Sequence, residues 1–144
     1  MSRTRLITLC VAGLLTGCAI AGEQRIRRYF EIPASQPVNV TTIRSAILNQ
    51  VPIESSVTQV HAYLERAGIG KDKFSSYYDS LVSEQPQIVC RVYRSDGFPC
   101  SSEFLITFVF ANAPLGRDAT NNVVVLPHKD VLKEIKVEKS GACL

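Results

Sequence analysis

Tryptophan is absent, methionine occurs only at position 1, and histidine appears only as His61 and His128. So little histidine leaves poor material for a zinc centre, and neither C-x-x-C nor H-x-x-x-H spacing occurs. Missing too are G-x-S-x-G, a Walker loop, H-E-x-x-H and the dinucleotide fingerprint. No catalytic residue, metal ligand or cofactor is therefore assigned, and an enzyme is not expected. His61 reads as a solvated or half-buried helix residue, and His128 as a turn residue. A Cys–His hydrolase would need a reduced nucleophile and a larger, cleft-bearing scaffold. Surplus charge is also lacking: 16 basic residues face 13 acidic ones, and two of the former, Arg3 and Arg5, fall in the leader. A near-neutral chain has no basic stripe for nucleic acid. Its longest apolar stretch, Leu6 to Leu15, is about half of the roughly 20 residues that a bilayer span requires.

That stretch follows a basic head, Met-Ser-Arg-Thr-Arg, and precedes small residues, the order of a secretory signal. The small residues are Leu15-Thr16-Gly17-Cys18. This tetrapeptide resembles the bacterial lipobox, which implies acylation of the Cys18 thiol and cleavage after residue 17. Residues 1–17 are then the signal peptide, and fatty chains on Cys18 hold the protein to a membrane. Ala19 rather than Asp after that cysteine favours the periplasmic face of the outer membrane. A competing site exists: Ala19-Ile20-Ala21 has the A-x-A form, and cleavage before Gly22 would release a soluble protein.

Beyond residue 17 the chain has 127 residues, enough for one domain with a core. Residues 18–40 read as the lipidated N-terminus and a tether, with Gly22, Pro33 and Pro37 and no sustained period. As flexible coil, 22 residues would set the domain on the order of 26 Å from the membrane. Alternatively, Ile26 to Ile32 adds a strand at the domain edge. Arg25, Arg27 and Arg28 either meet anionic headgroups, at about 1 kcal/mol each, or are simply solvated.

Residues 41–144 read as a single α+β domain. Thr41-Thr42 can cap a helix to about Gln50, ended by Val51-Pro52. Ser56 and Gln59 form a capping-box pattern for a second helix, with Val57, Val60, Leu64 and Ala67 on one face and Gly68 as its stop. Strands are expected at Lys73–Leu81, Ile88–Arg94, Glu103–Phe110, Asn122–Leu126 and Val131–Val137, with Asn112–Asn121 as an exposed link. The expected architecture is two N-terminal helices packed on one face of a three- to four-stranded antiparallel meander sheet. Phe74, Tyr77 and Tyr78 sit among small polar residues. They are candidates for a protein-binding surface, or ordinary half-buried strand residues.

Cys90, Cys100 and Cys143 remain once the signal is removed and Cys18 is acylated. Cys90 and Cys100 flank a turn-rich stretch, and a disulfide between them would close a loop of 11 residues. Chain entropy assigns such a loop about 3 kcal/mol. Cys143 is left to stay free, to pair with either of the others, or to join two chains as a dimer.

Ser56, Gln59 and Val60, behind a lipobox and ahead of a sheet, resemble the helix start of the BamE (SmpA/OmlA) group of small outer-membrane lipoproteins. The helix-helix-sheet order also resembles half of the beta-lactamase inhibitor protein. Glu54 stands where the BamE group has glycine, and no binding residue is carried over. The resemblance implies the fold. Together with the leader it implies a non-enzymatic, membrane-anchored accessory module of the cell envelope with an envelope protein as partner. The alternative is a small periplasmic inhibitor or ligand-binding protein.

Overall fold

A computed structural model describes residues 20–82, 85–95, 100–111, 115–125 and 131–143. The expected signal peptide, residues 1–17, and Cys18 lie outside these residues. Three helices precede a four-stranded antiparallel sheet, the α+β layout expected from the sequence.

The first helix, α1, occupies residues 20–30, where a tether was expected. Ile26, Tyr29 and Phe30 repeat at helical spacing and are buried, and Ile32 follows them into the core. The domain therefore begins by residue 20 and not at residue 41. The short apolar stripe was hidden among arginines, each of which has a local task. Arg27 is paired with Glu23 at 2.6 Å and donates to the carbonyls of Pro33 and Gln36, at 2.6 and 2.8 Å, stitching the turn after the helix. Arg25 lies over the Phe74 ring at 3.4 Å, and Arg28 is 5.8 Å from the Tyr29 ring.

Helix α2 spans Val40–Gln50. Its cap is Asn39, two residues before the first of the threonines expected to cap it: the Asn39 side chain accepts from the Thr42 N–H at 2.9 Å. Ile43 and Ile47 face the core, and Arg44 donates to the Ile135 carbonyl at 3.0 Å. Helix α3 spans Val57–Ala67 with both halves of the Ser56/Gln59 capping box formed. Gly68 closes it in the left-handed region at φ 78°, where a side chain would be strained. Between the two helices, Glu54 takes φ 75° and its N–H donates to the Leu132 carbonyl at 2.8 Å. The Leu132 N–H returns a bond to Ser55 at 2.7 Å, so this loop is sewn to the start of the last strand.

The strands are β1 (Ser75–Val82), β2 (Gln85–Ser95), β3 (Cys100–Phe110), β4 (Leu115–Arg117), β5 (Val123–Val125) and β6 (Leu132–Cys143). The main sheet runs β1-β2-β3-β6, a meander interrupted by the small β4-β5 ribbon. That ribbon replaces part of the link expected to be irregular. Ile88, Cys90 and Val92 of β2, Phe104, Ile106, Phe108 and Phe110 of β3, and Ile135 and Val137 of β6 are buried in one cluster with the helices. These are alternate residues, so one face of the sheet carries the core.

Candidate functional site

Strand β1 is an edge of the main sheet, and its two faces carry different chemistry. Tyr77 and Asp79 are opposite Cys90 and Ile88 of β2, the face that meets the helices. Asp79 is drawn into a half-dry position between α3 and β5. Its Oδ2 accepts from the Val125 N–H at 3.1 Å, and its Oδ1 lies 3.6 Å from His61 Nε2. Oδ1 has no hydrogen-bond partner among the described residues. Burial pushes the Asp79 carboxyl up, while the Val125 N–H and the charge of His61 pull the other way. The His61 and Tyr77 rings are 5.9 Å apart and tilted by 59°.

These groups line a cleft of about 720 Å³ between α3, β1 and the ribbon, with Tyr78, Leu81, Asn122 and Val124 on its walls. Asp118 shapes the ribbon turn, accepting from the N–H groups of Thr120 and Asn122 at 2.9 Å each. At the rim Tyr78, Leu81 and Val82 are 46%, 41% and 51% exposed, an apolar fringe on an edge strand. The cleft thus sets an imidazole and a carboxylate 3.6 Å apart. Among the described residues no hydroxyl or thiol is hydrogen-bonded to His61.

The aromatic trio expected as one surface is divided. Tyr77 and Tyr78 belong to this cleft, Tyr77 packing partly on the core. Phe74 has Arg25 at 3.4 Å and Lys73 at 5.1 Å from its ring centre and lines a separate hollow of about 500 Å³ with Tyr93, Glu103 and Ser140. The division arises because Phe74 precedes the strand, held by an Asp72 turn whose Oδ1 accepts from the Phe74 N–H at 2.8 Å. Asp72 also meets the hydroxyls of Tyr29 and Ser75. Burial, followed by the bond to Asp72, raises Tyr29; the Asp72 carboxyl itself is lowered, since three hydrogen bonds outweigh its desolvation.

Sequence reasoning set His61 aside and did not see its pairing with Asp79. A helix residue and a strand residue meet only once the sheet register is known. The one available signal was that both lie on the apolar phase of their elements.

The expected Cys90–Cys100 disulfide does not form. Cys90 is a free, fully buried thiol, pushed up to about 12 by burial. The hairpin pairs Ser95 with Ser101, which sets Cys90 opposite Ile106. Cys100 is six strand positions from Ile106, roughly 20 Å at strand rise, while a disulfide tolerates about 7 Å between Cα atoms. Flanking a turn is not the same as being equidistant from it. His128 and Cys18 lie outside the described residues.

The fold and cleft together define the class: an α+β domain with helices on one sheet face and a cleft lined by His61 and Asp79 at the sheet edge. In comparisons with known proteins, no family model, no curated protein and no solved structure matches the chain. Among the described residues no helix is long and apolar enough to cross a membrane, and no group of three or more His, Cys, Asp or Glu is arranged to hold a metal ion.

Proposed function

We propose that this chain is a membrane-anchored envelope lipoprotein that works as a non-enzymatic interaction module, an accessory subunit for a membrane-held protein. The leader and the Leu15–Cys18 tetrapeptide supply the anchor. The carrying observation is the exposed apolar side chains of edge strand β1 beside the cleft, Tyr78 and Val82 on one face and Leu81 on the other. An edge strand presents unpaired backbone groups, and apolar side chains along it give a partner strand something to bury. Confinement by lipid raises the effective concentration of this edge near other membrane proteins.

A photo-crosslinking residue at position 78 tests this in cells. Adducts with membrane proteins that vanish in Leu81→Glu/Val82→Glu and in Cys18→Ala support the proposal. Absence of adducts from a correctly localised, folded protein refutes it. A ligand-binding reading is favoured by one observation, the cleft of about 720 Å³, which falls in the small-molecule range of roughly 300–1,000 Å³. Retention of a small molecule by the purified protein, lost on Asp79→Asn, would select that reading instead.

A further inference from the structure

The antiparallel register of β3 and β6 sets Cys100 directly opposite Cys143. Neighbouring antiparallel strands alternate between narrow pairs, with Cα atoms about 4.5 Å apart, and wide pairs at about 5.5 Å. The type of this pair follows from the one two residues away. Ser102 faces Gly141, and a Cβ built on Gly141 would lie 3.4 Å from Ser102 Cβ and 3.7 Å from Ser102 Cα. That closeness marks a narrow pair. A step of two along both strands restores the same type, so Cys100 and Cys143 also form a narrow pair, on the same face of the sheet. A disulfide needs Cα atoms about 4.4–6.8 Å apart and Cβ atoms about 3.5–4.5 Å apart. A narrow pair, with Cα atoms about 4.5 Å apart, falls inside the first range, and the narrow pair two residues away brings its Cβ positions to 3.4 Å, close to the second.

We propose that Cys100 and Cys143 form an intramolecular disulfide that staples the end of β6 to the start of β3. The competing thiol is out of reach: Cys90 is buried in the core opposite Ile106. The oxidant is a donor disulfide, either a small one such as glutathione disulfide or that of an oxidoreductase. One cysteine thiolate attacks the donor and leaves a mixed disulfide, expelling a donor thiol. The other cysteine thiolate then displaces the second donor thiol. Two protons and two electrons leave the pair, and the donor disulfide becomes two thiols. The bond depends on the register alone and holds whatever partner the cleft takes.

The test uses the reduced, purified chain in a glutathione/glutathione disulfide buffer, quenched with a thiol-blocking reagent and digested without reduction. The expected product is a peptide pair linked through Cys100 and Cys143, with an intact mass lower by two hydrogens and Cys90 blocked only after denaturation. Cys143→Ser and Cys100→Ser should each stop at a mixed disulfide with glutathione on the remaining cysteine. Glutathione on both cysteines of the unaltered chain would overturn the proposal. So would two free thiols, a bond to Cys90, or a covalent dimer.

Discussion

Replacing Ile26 by alanine separates a core helix from a tether. Ile26 is fully buried on α1, packed with Tyr29 and Phe30 against the sheet cluster. The substitution removes three carbons, about 2.4 kcal/mol of transfer free energy at roughly 0.8 kcal/mol each. The cavity left behind brings the expected loss to about 3 kcal/mol, within the range of roughly 2–5 kcal/mol for such truncations. Urea unfolding followed by far-ultraviolet circular dichroism reads this directly, on a chain starting at Ala19. With a slope of about 1.5 kcal/mol per molar, the midpoint should fall by about 2 M. Gln24→Ala, on the exposed side of the same helix, should leave it nearly unchanged. A tether residue would shift stability by no more than about 0.5 kcal/mol. A midpoint shift under about 0.3 M for Ile26→Ala, with the slope preserved, refutes the packing of α1.

Tyr63→Phe should stabilise the domain by about 1 kcal/mol in the same assay, because the Tyr63 hydroxyl is buried with no hydrogen-bond partner among the described residues. Glu54→Gly should raise stability by up to about 1 kcal/mol, since position 54 sits at φ 75°, where glycine avoids the left-handed penalty; a loss of stability would show that the Glu54 side chain earns its strain. Asp79→Asn carries a pH signature. Burial raises the Asp79 carboxyl, so the folded chain retains a proton that the unfolded chain sheds at the ordinary value of 3.8. The share of stability from this group therefore declines as pH rises from that value through the raised one, and Asp79→Asn should remove the decline. Parallel pH profiles for the two chains would sink this assignment.

Patterns that repeat along the chain were readable without coordinates. The Ser56/Gln59 box and the Gly68 stop mark α3 because capping is local, depending on residues within one turn. Alternation in Ile88–Val92 and Phe104–Phe110 marks β2 and β3 for the same reason. The sequence conceals helix α1 because arginines interrupt a stripe with only three large apolar buried residues, while Gly22, Pro33 and Pro37 suggest coil. Everything that depends on register was out of reach. Cys90 shares the apolar phase of Ile88 and Val92, but its separation from Cys100 depends on the position of the turn. The His61–Asp79 pair likewise joins a helix to a strand 18 positions later in the sequence, and no local rule links them.

The β4-β5 ribbon is held differently from the rest of the molecule. Three residues pair with three, and among the described side chains of the ribbon Val125 alone is buried, joined to the core cluster and held by its N–H on Asp79. Elements with so little buried surface open locally, at a free energy far below that of global unfolding. The outer wall of the cleft can thus swing away while the four-stranded sheet stays intact. Whatever enters beside His61 meets an entrance whose width is set by that small opening energy, and amide exchange in Val123–Val125 should outpace exchange in the centre of β3.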